Sequence, residues 1–182
     1  MRISIAKTCC CFVFLLLPCS LAAQATATQK VLTPREFVEG FYKWYVPHAL
    51  KDQGTTSDLA LKYKSPAFSP QLLRLLKADS AAQAACEELI GIDFDPFLYS
   101  QDPEERYDVG KITHQGPNFR AEVYGVRAGE RDKTPSVIAE FTETNGHWFF
   151  VNFHYEEQGG ADLLTLLKSP EKCTVPRTSN KK

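Results

Sequence analysis

Neither sign of charge dominates this chain: 21 Lys and Arg stand against 22 Asp and Glu, a formal charge of −1 over 182 residues. No global field therefore draws it to nucleic acid or to an anionic membrane. The spacings that announce common chemistries are missing as well. There is no Gly-x-Ser-x-Gly elbow, no His-Glu-x-x-His helix and no phosphate-cradling glycine loop. Internal repeats and low-complexity segments are absent too. What is present is ordinary globular material, 43% hydrophobic, 12% aromatic and 24% charged, at a length that suits one domain.

Residues 1–25 read as a secretory signal. Arg2 and Lys7 form a basic start, and the uncharged stretch from Thr8 through Phe12 to Leu17 is shorter than the roughly 20 residues of a membrane span. Ala23-Gln24-Ala25 then fits the small-x-small rule for cleavage, with a mature chain starting at Thr26. Pro18 before Cys19 fits a lipid-modified cysteine poorly, because a small residue is expected there. Cleavage removes two basic residues and no acid, so 21 basic side chains become 19 and the charge moves from −1 to −3. The expected address is an exported one, most simply the periplasm, with secretion or membrane anchoring as alternatives.

The signal also takes Cys9, Cys10, Cys11 and Cys19 with it, leaving Cys86 and Cys173. Two cysteines in an oxidising compartment are most simply one disulfide, tying a helix of the first half to the C-terminal tail; free or metal-bound thiols are the alternative. They lie 87 positions apart and none of the four histidines is close to either in sequence, so neither a metal site nor a cofactor is expected.

Along the mature chain, 26–32 is a linker, 33–168 a single domain and 169–182 a polar tail. Thr33-Pro34-Arg35-Glu36 is a helix start with a capping box. Phe37, Phe41 and Tyr45, flanked by Val38 and Tyr42, recur at helical spacing up to Pro47 and predict a buried aromatic stripe. A polar turn at 53–57 precedes a short helix from Asp58 to about Lys64. From Pro70, the series Leu72, Leu73, Leu75, Leu76, Ala82, Ala85, Leu89 and Ile90 predicts one long or broken helix ending at Gly91.

The period then changes to that of strands: Tyr107 to His114, Phe119 to Arg127, Ser136 to Thr144 and His147 to Glu156. Asn145-Gly146 predicts a two-residue hairpin pairing Thr144 with His147. Continued without interruption, that register sets Phe141 against Phe150, Glu140 against Val151, Ile138 against Phe153 and Val137 against His154. Apolar residues on both faces make the last strand a central one, packed on helices on one side and lining a concavity on the other. A final helix spans Ala161 to Lys168. Helices followed by a strand meander define an α+β plan, with N-terminal helices on a curved antiparallel sheet of about four strands.

The segment Asp93-Phe94-Asp95-Pro96-Phe97-Leu98-Tyr99-Ser100-Gln101-Asp102, together with Phe41-Tyr42-Lys43-Trp44-Tyr45 in the first helix, resembles the DUF3828 domain family of uncharacterised bacterial envelope proteins over residues 33–157. The resemblance implies a cone-like NTF2-like or cystatin-like fold. It implies no reaction.

Two groups of polar residues are candidate ligand contacts. Asp93, Asp95, Gln101 and Asp102 share the connection between the long helix and the first strand. Carboxylates two apart can chelate a cation or share a proton, but Pro96 and Phe97 follow where a calcium loop would supply more oxygens, so loop-fixing hydrogen bonds are favoured. Asn152 and His154 are placed by strand alternation on one face with Trp148 and Phe150, where a ligand or a histidine base held by a carboxylate could be oriented. The opposite face offers Glu140 and Tyr155 as an equivalent pair. His48 and His114 read as surface or turn residues.

The functional expectation is an exported, non-enzymatic binding or interaction domain for a small molecule or an envelope protein. One variant is an inhibitor or immunity protein that faces a basic enzyme with acids such as Asp102-Pro103-Glu104-Glu105. The alternatives are a small pocket enzyme using Asp95 or His154 as acid or base, and an assembly factor with no pocket at all.

Overall fold

The capping box at Thr33 is formed: its hydroxyl accepts from the Glu36 amide, and the Glu36 carboxylate accepts from the Thr33 amide. The computed structural model describes residues 32–51, 56–156, 159–169 and 173–177; the expected signal and the first six linker residues lie outside them. The helix so started, α1, runs Pro34–Ala49, past its expected stop. Pro47 falls in the last turn, where it has no N–H to donate to the Lys43 carbonyl. α2 spans Thr56–Tyr63, a 3-10 turn follows at Ser65–Ala67, and α3 spans Pro70–Ala85 with Ser69 as its cap.

α3 ends six residues before Gly91, which corrects the sequence expectation. Cys86 adopts an extended conformation and bridges to Pro176, while the Ala85 carbonyl accepts from the Arg177 amide and the Glu87 amide donates to the Val175 carbonyl. The returning tail thus takes main-chain groups that a longer helix would have used itself. Cys86 and Cys173 lie at disulfide distance, Sγ to Sγ 2.10 Å. Leu89, read as part of the helix's apolar face, is exposed.

The second half is an antiparallel sheet with four long strands, β1 Arg106–Gln115, β2 Asn118–Arg127, β4 Val137–Thr144 and β5 His147–Tyr155. Two short strands bring the number among the described residues to six: β3 Glu130–Arg131, paired with β2, and β6 Ala161–Asp162, paired with β5. The order is β1-β2-β4-β5-β6, so β1 is an edge strand. The last helix, α4, is therefore shorter than expected, Leu163–Lys168, with Asp162 as its cap.

Asn145 (φ 54°) and Gly146 (φ 79°) form the expected hairpin turn, Thr144 pairs with His147 and Phe141 pairs with Phe150. Beyond that pair the register slips by one: Glu140 faces Asn152, Ala139 faces Phe153 and Ile138 faces His154. Val151 is the extra residue of a β-bulge. A one-residue insertion moves every later side chain to the opposite face. Phe153 and Tyr155 accordingly join Phe150 in the core, and Asn152 and His154 turn away from Trp148 and Phe150, contrary to simple alternation.

The core lies between α1 and the inner face of this sheet. Val38, Phe41, Tyr42 and Tyr45 pack against Ala121, Val123, Val137, Ala139, Phe141, Phe150 and Phe153. Phe41 makes edge contacts with Phe68, Phe97 and Phe150 at ring distances of 5.8, 5.6 and 5.0 Å. Each such pair adds about 0.5–1.5 kcal/mol beyond area burial. Among the described residues no helix is long and apolar enough to cross a membrane.

Candidate functional site

The segment 93–102 does not lie on the surface as a plain loop. It folds inward so that Phe97 and Leu98 are fully buried, with Phe97 stacked on Phe68 at 5.2 Å and tilted against Phe153 at 5.1 Å. Burying this irregular backbone requires partners for its polar groups, and tyrosines supply them. Tyr42 of α1 donates to the Phe97 carbonyl at 2.9 Å, and Tyr155 of β5 donates to the Pro96 carbonyl at 2.8 Å. Tyr45 of α1 donates to Asp95 Oδ2 at 2.6 Å. In the sequence Tyr42 and Tyr45 read as core and Tyr155 as the partner of Glu140, which misses where the three hydroxyls go, although a Tyr rather than a Phe at three buried positions is the signal.

Asp95 is the hub of the loop. Its Oδ1 accepts from the Phe97 and Leu98 amides at 2.9 and 3.2 Å, and its main chain bridges to Ser100. Burial pushes its carboxyl up to about 6, against the opposing pull of the bonds from Tyr45, Phe97 and Leu98. Burial likewise raises Tyr42, Tyr45 and Tyr155 well above the ordinary phenol range, so all three remain donors at neutral pH. The other candidates of this segment are peripheral. The Asp93 side chain is exposed while its carbonyl accepts from Gln101 Nε2 at 3.3 Å, and Asp102 is exposed beside Ser100, whose hydroxyl bonds to its main chain.

The outward side of this segment borders a cavity of about 690 Å³, roofed by α2 and α3 residues. Its wall is apolar at Leu61, Leu76, Ile92 and Phe94. It is also acidic, with Asp58, Asp79, Asp93, Asp95 and Asp102, and no Lys or Arg is among its described lining residues. Asp79 holds the corner: it accepts from Gln83 at 2.8 Å and from the Ile92 amide at 3.4 Å, and burial raises its carboxyl despite both bonds. Asp58 accepts from Ser80 at 2.7 Å. Thus Asp93, Asp95, Gln101 and Asp102 are brought to one cavity, joined by Asp58 and Asp79, which the sequence did not single out.

Asn152, His154 and Trp148 are elsewhere. Asn152 is buried; its amide donates to Asp162 at 2.8 Å and its carbonyl accepts from the Leu164 amide at 3.0 Å, which fastens α4 to β5. Trp148 donates to the Leu32 carbonyl at 2.8 Å and packs on Phe37 and Phe119. His154 Nε2 lies 2.6 Å from Glu140 Oε2 on the outer face of the sheet. Burial opposes the Glu140 charge, but bonds from Asn118 and His154, with Arg120 beside them, hold its carboxyl below the usual range. The bulge at Val151 makes this pair, replacing the expected one of Glu140 with Tyr155.

Of the acids at 102–105, Glu104 is engaged by Arg127, which lowers its carboxyl, while Asp102 and Glu105 are exposed. His48 Nδ1 is 2.7 Å from the Trp44 carbonyl with its ring stacked on Trp44, and His114 is exposed on β1, the surface position expected of it. Among the described residues no three His, Cys, Asp or Glu side chains converge as metal ligands. No family model, no curated protein and no solved structure matches this chain.

Proposed function

We propose that this chain is an exported, non-enzymatic binding domain whose ligand site is the cavity beside residues 93–102, and that its ligand is a small organic cation with an apolar body. The wall chemistry carries this reading: apolar side chains and five aspartates face one space of about 690 Å³, with no cation among the described lining residues. That volume is in the usual range of small-molecule pockets. Asp93 and Asp102 have exposed side chains placed to meet an incoming ammonium group.

Export is supported by the N-terminal pattern and by the Cys86–Cys173 pair, which suits an oxidising compartment such as the periplasm. Membership of the DUF3828 family is part of the same proposal, and the α+β architecture is compatible with it.

One observation favours an enzyme as the second reading: the 2.6 Å contact of His154 with Glu140 resembles an oriented base. Against it, His154 does not line this cavity. Asp95, the other proposed acid or base, already accepts three hydrogen bonds.

Calorimetric titration with octylamine, and with octanoate as the opposite charge, tests the reading. Octylamine is expected to bind, octanoate not, and the double variant Asp93→Asn/Asp102→Asn to weaken octylamine about tenfold, as two partly exposed charge contacts allow. Equal binding of both probes, or no loss in the double variant, overturns it.

A further inference from the structure

We propose that a second site, separate from the acidic cavity, binds a short extended peptide segment as an added strand along the first four residues of β1. A cleft of about 540 Å³ runs between this edge and α1, with Tyr42, Val46 and Pro47 on the helix side and Arg106 to Val109 on the strand side.

From Tyr107 to Val109 the edge-facing main-chain groups, the Val109 carbonyl excepted, have no partner among the described residues. Gly125, opposite Tyr107, directs its amide to Ser136 and its carbonyl to the Asp132 amide, both away from β1. Tyr107 and Gly125 are therefore a pair without mutual hydrogen bonds, and the Tyr107 amide and carbonyl point to the free edge. Two residues on, the Val109 carbonyl points the same way, since it accepts from Arg35 at 2.8 Å. The Tyr107 amide, the Tyr107 carbonyl and the Val109 amide have no partner among the described residues. A row of open main-chain groups beside an apolar helix face is what strand addition requires: the backbone supplies affinity and the floor selects a side chain.

The occupant is short for a structural reason. Arg35 also takes the Gly110 carbonyl at 2.7 Å, and β1 carries a bulge between Val109 and Ile112, so regular pairing stops at Val109. What remains spans roughly 13 Å, four residues of strand. This disfavours a second copy pairing along the ten residues of β1. Charge narrows the chemistry further. Arg106 is paired with Asp108 and Arg35 with Glu39, whereas Lys43 and Arg131 have no carboxylate partner among the described residues. Both line the cleft, as does the exposed Glu105, so two basic side chains stand there against one acid, all three without an ion-pair partner among the described residues. The segment it fits carries an aliphatic side chain for Tyr42 and Val46 and a carboxylate for Lys43.

Selection of a random heptapeptide phage library on the disulfide-bonded protein tests this. Enriched peptides are expected to combine aliphatic and acidic residues and to protect the Tyr107 and Val109 amides from hydrogen exchange. They are expected to lose about fivefold or more in affinity against Lys43→Glu, an exposed change that leaves the fold intact. They are also expected to fail against Val109→Pro, which removes an edge-facing donor. No enrichment over the empty support overturns the proposal, as do peptides that bind Lys43→Glu equally. A dimer whose Tyr107 and Val109 amides are already protected without peptide overturns it in favour of a second copy. None of these outcomes depends on octylamine binding, so this site and the acidic cavity stand or fall separately.

Discussion

Tyr45 on α1 and Asp95 in the inward loop are joined by a 2.6 Å hydrogen bond, 50 residues apart in sequence. It fastens the first helix to the segment that borders the acidic cavity, so a core contact and the wall of the candidate site are one structure. The tyrosine hydroxyl, and not the ring, is the part that matters for this link.

Tyr45→Phe keeps the ring against Phe41 and Phe97 and removes only the donor. A hydrogen bond to a charged group contributes about 1.5–3 kcal/mol, and urea unfolding at neutral pH should show a loss of that size. A loss below a few tenths would mean that Asp95 is held by its backbone donors alone.

The raised Asp95 carboxyl makes a pH prediction with a definite sign. Between the ordinary carboxylate value of 3.8 and about 6, the folded state binds more of this proton than the unfolded chain does. Its contribution therefore falls as pH rises through that window and is constant above it. Asp95→Asn removes this component. The difference in unfolding free energy between variant and parent should shift in the variant's favour from pH 4 to pH 6.5, and a flat difference would contradict the assignment.

Breaking the Cys86–Cys173 link frees the tail that ends α3. Unfolding with and without reductant should differ by about 2–5 kcal/mol, the usual effect of removing a native disulfide. The denatured, unreduced protein from its own envelope fraction should begin near Thr26 and be lighter by the two hydrogens of the bridge. An uncut or lipid-bearing chain would contradict export by cleavage.

Gly91 sits at φ +77°, and a Cβ there would lie 2.2 Å from Asp79 Oδ1. Gly91→Ala should cost about 1–3 kcal/mol through combined backbone strain and displacement of Asp79. The same variant should weaken octylamine binding, because Asp79 is part of the cavity wall. Unchanged stability would show that the loop relaxes freely.

The elements with strong local signals were legible in the sequence. Thr33-Pro34-Arg35-Glu36 set the start of α1, and Asn145-Gly146 set the hairpin and its first pairs, because capping and positive-φ turns depend on neighbouring residues alone. What sequence missed depends on contacts between distant segments. α3 stops at Ala85 because residues 173–177 return to it, and β5 turns Asn152 and His154 to the face opposite Phe150 because Val151 is extra, which no alternation rule reveals. The candidate site was half visible. Asp93, Asp95, Gln101 and Asp102 stood out as a polar run, but Asp58 and Asp79 join them only through the packing of α2 and α3.

The most direct test of the binding claim is an amide-resolved NMR titration of the mature protein with octylamine at neutral pH. Saturable shifts are expected at residues 57–61, 76–84 and 92–102, around the acidic cavity, with His154 and its neighbours unmoved. Shifts centred on His154 and Glu140, or none at millimolar octylamine, would contradict the binding claim.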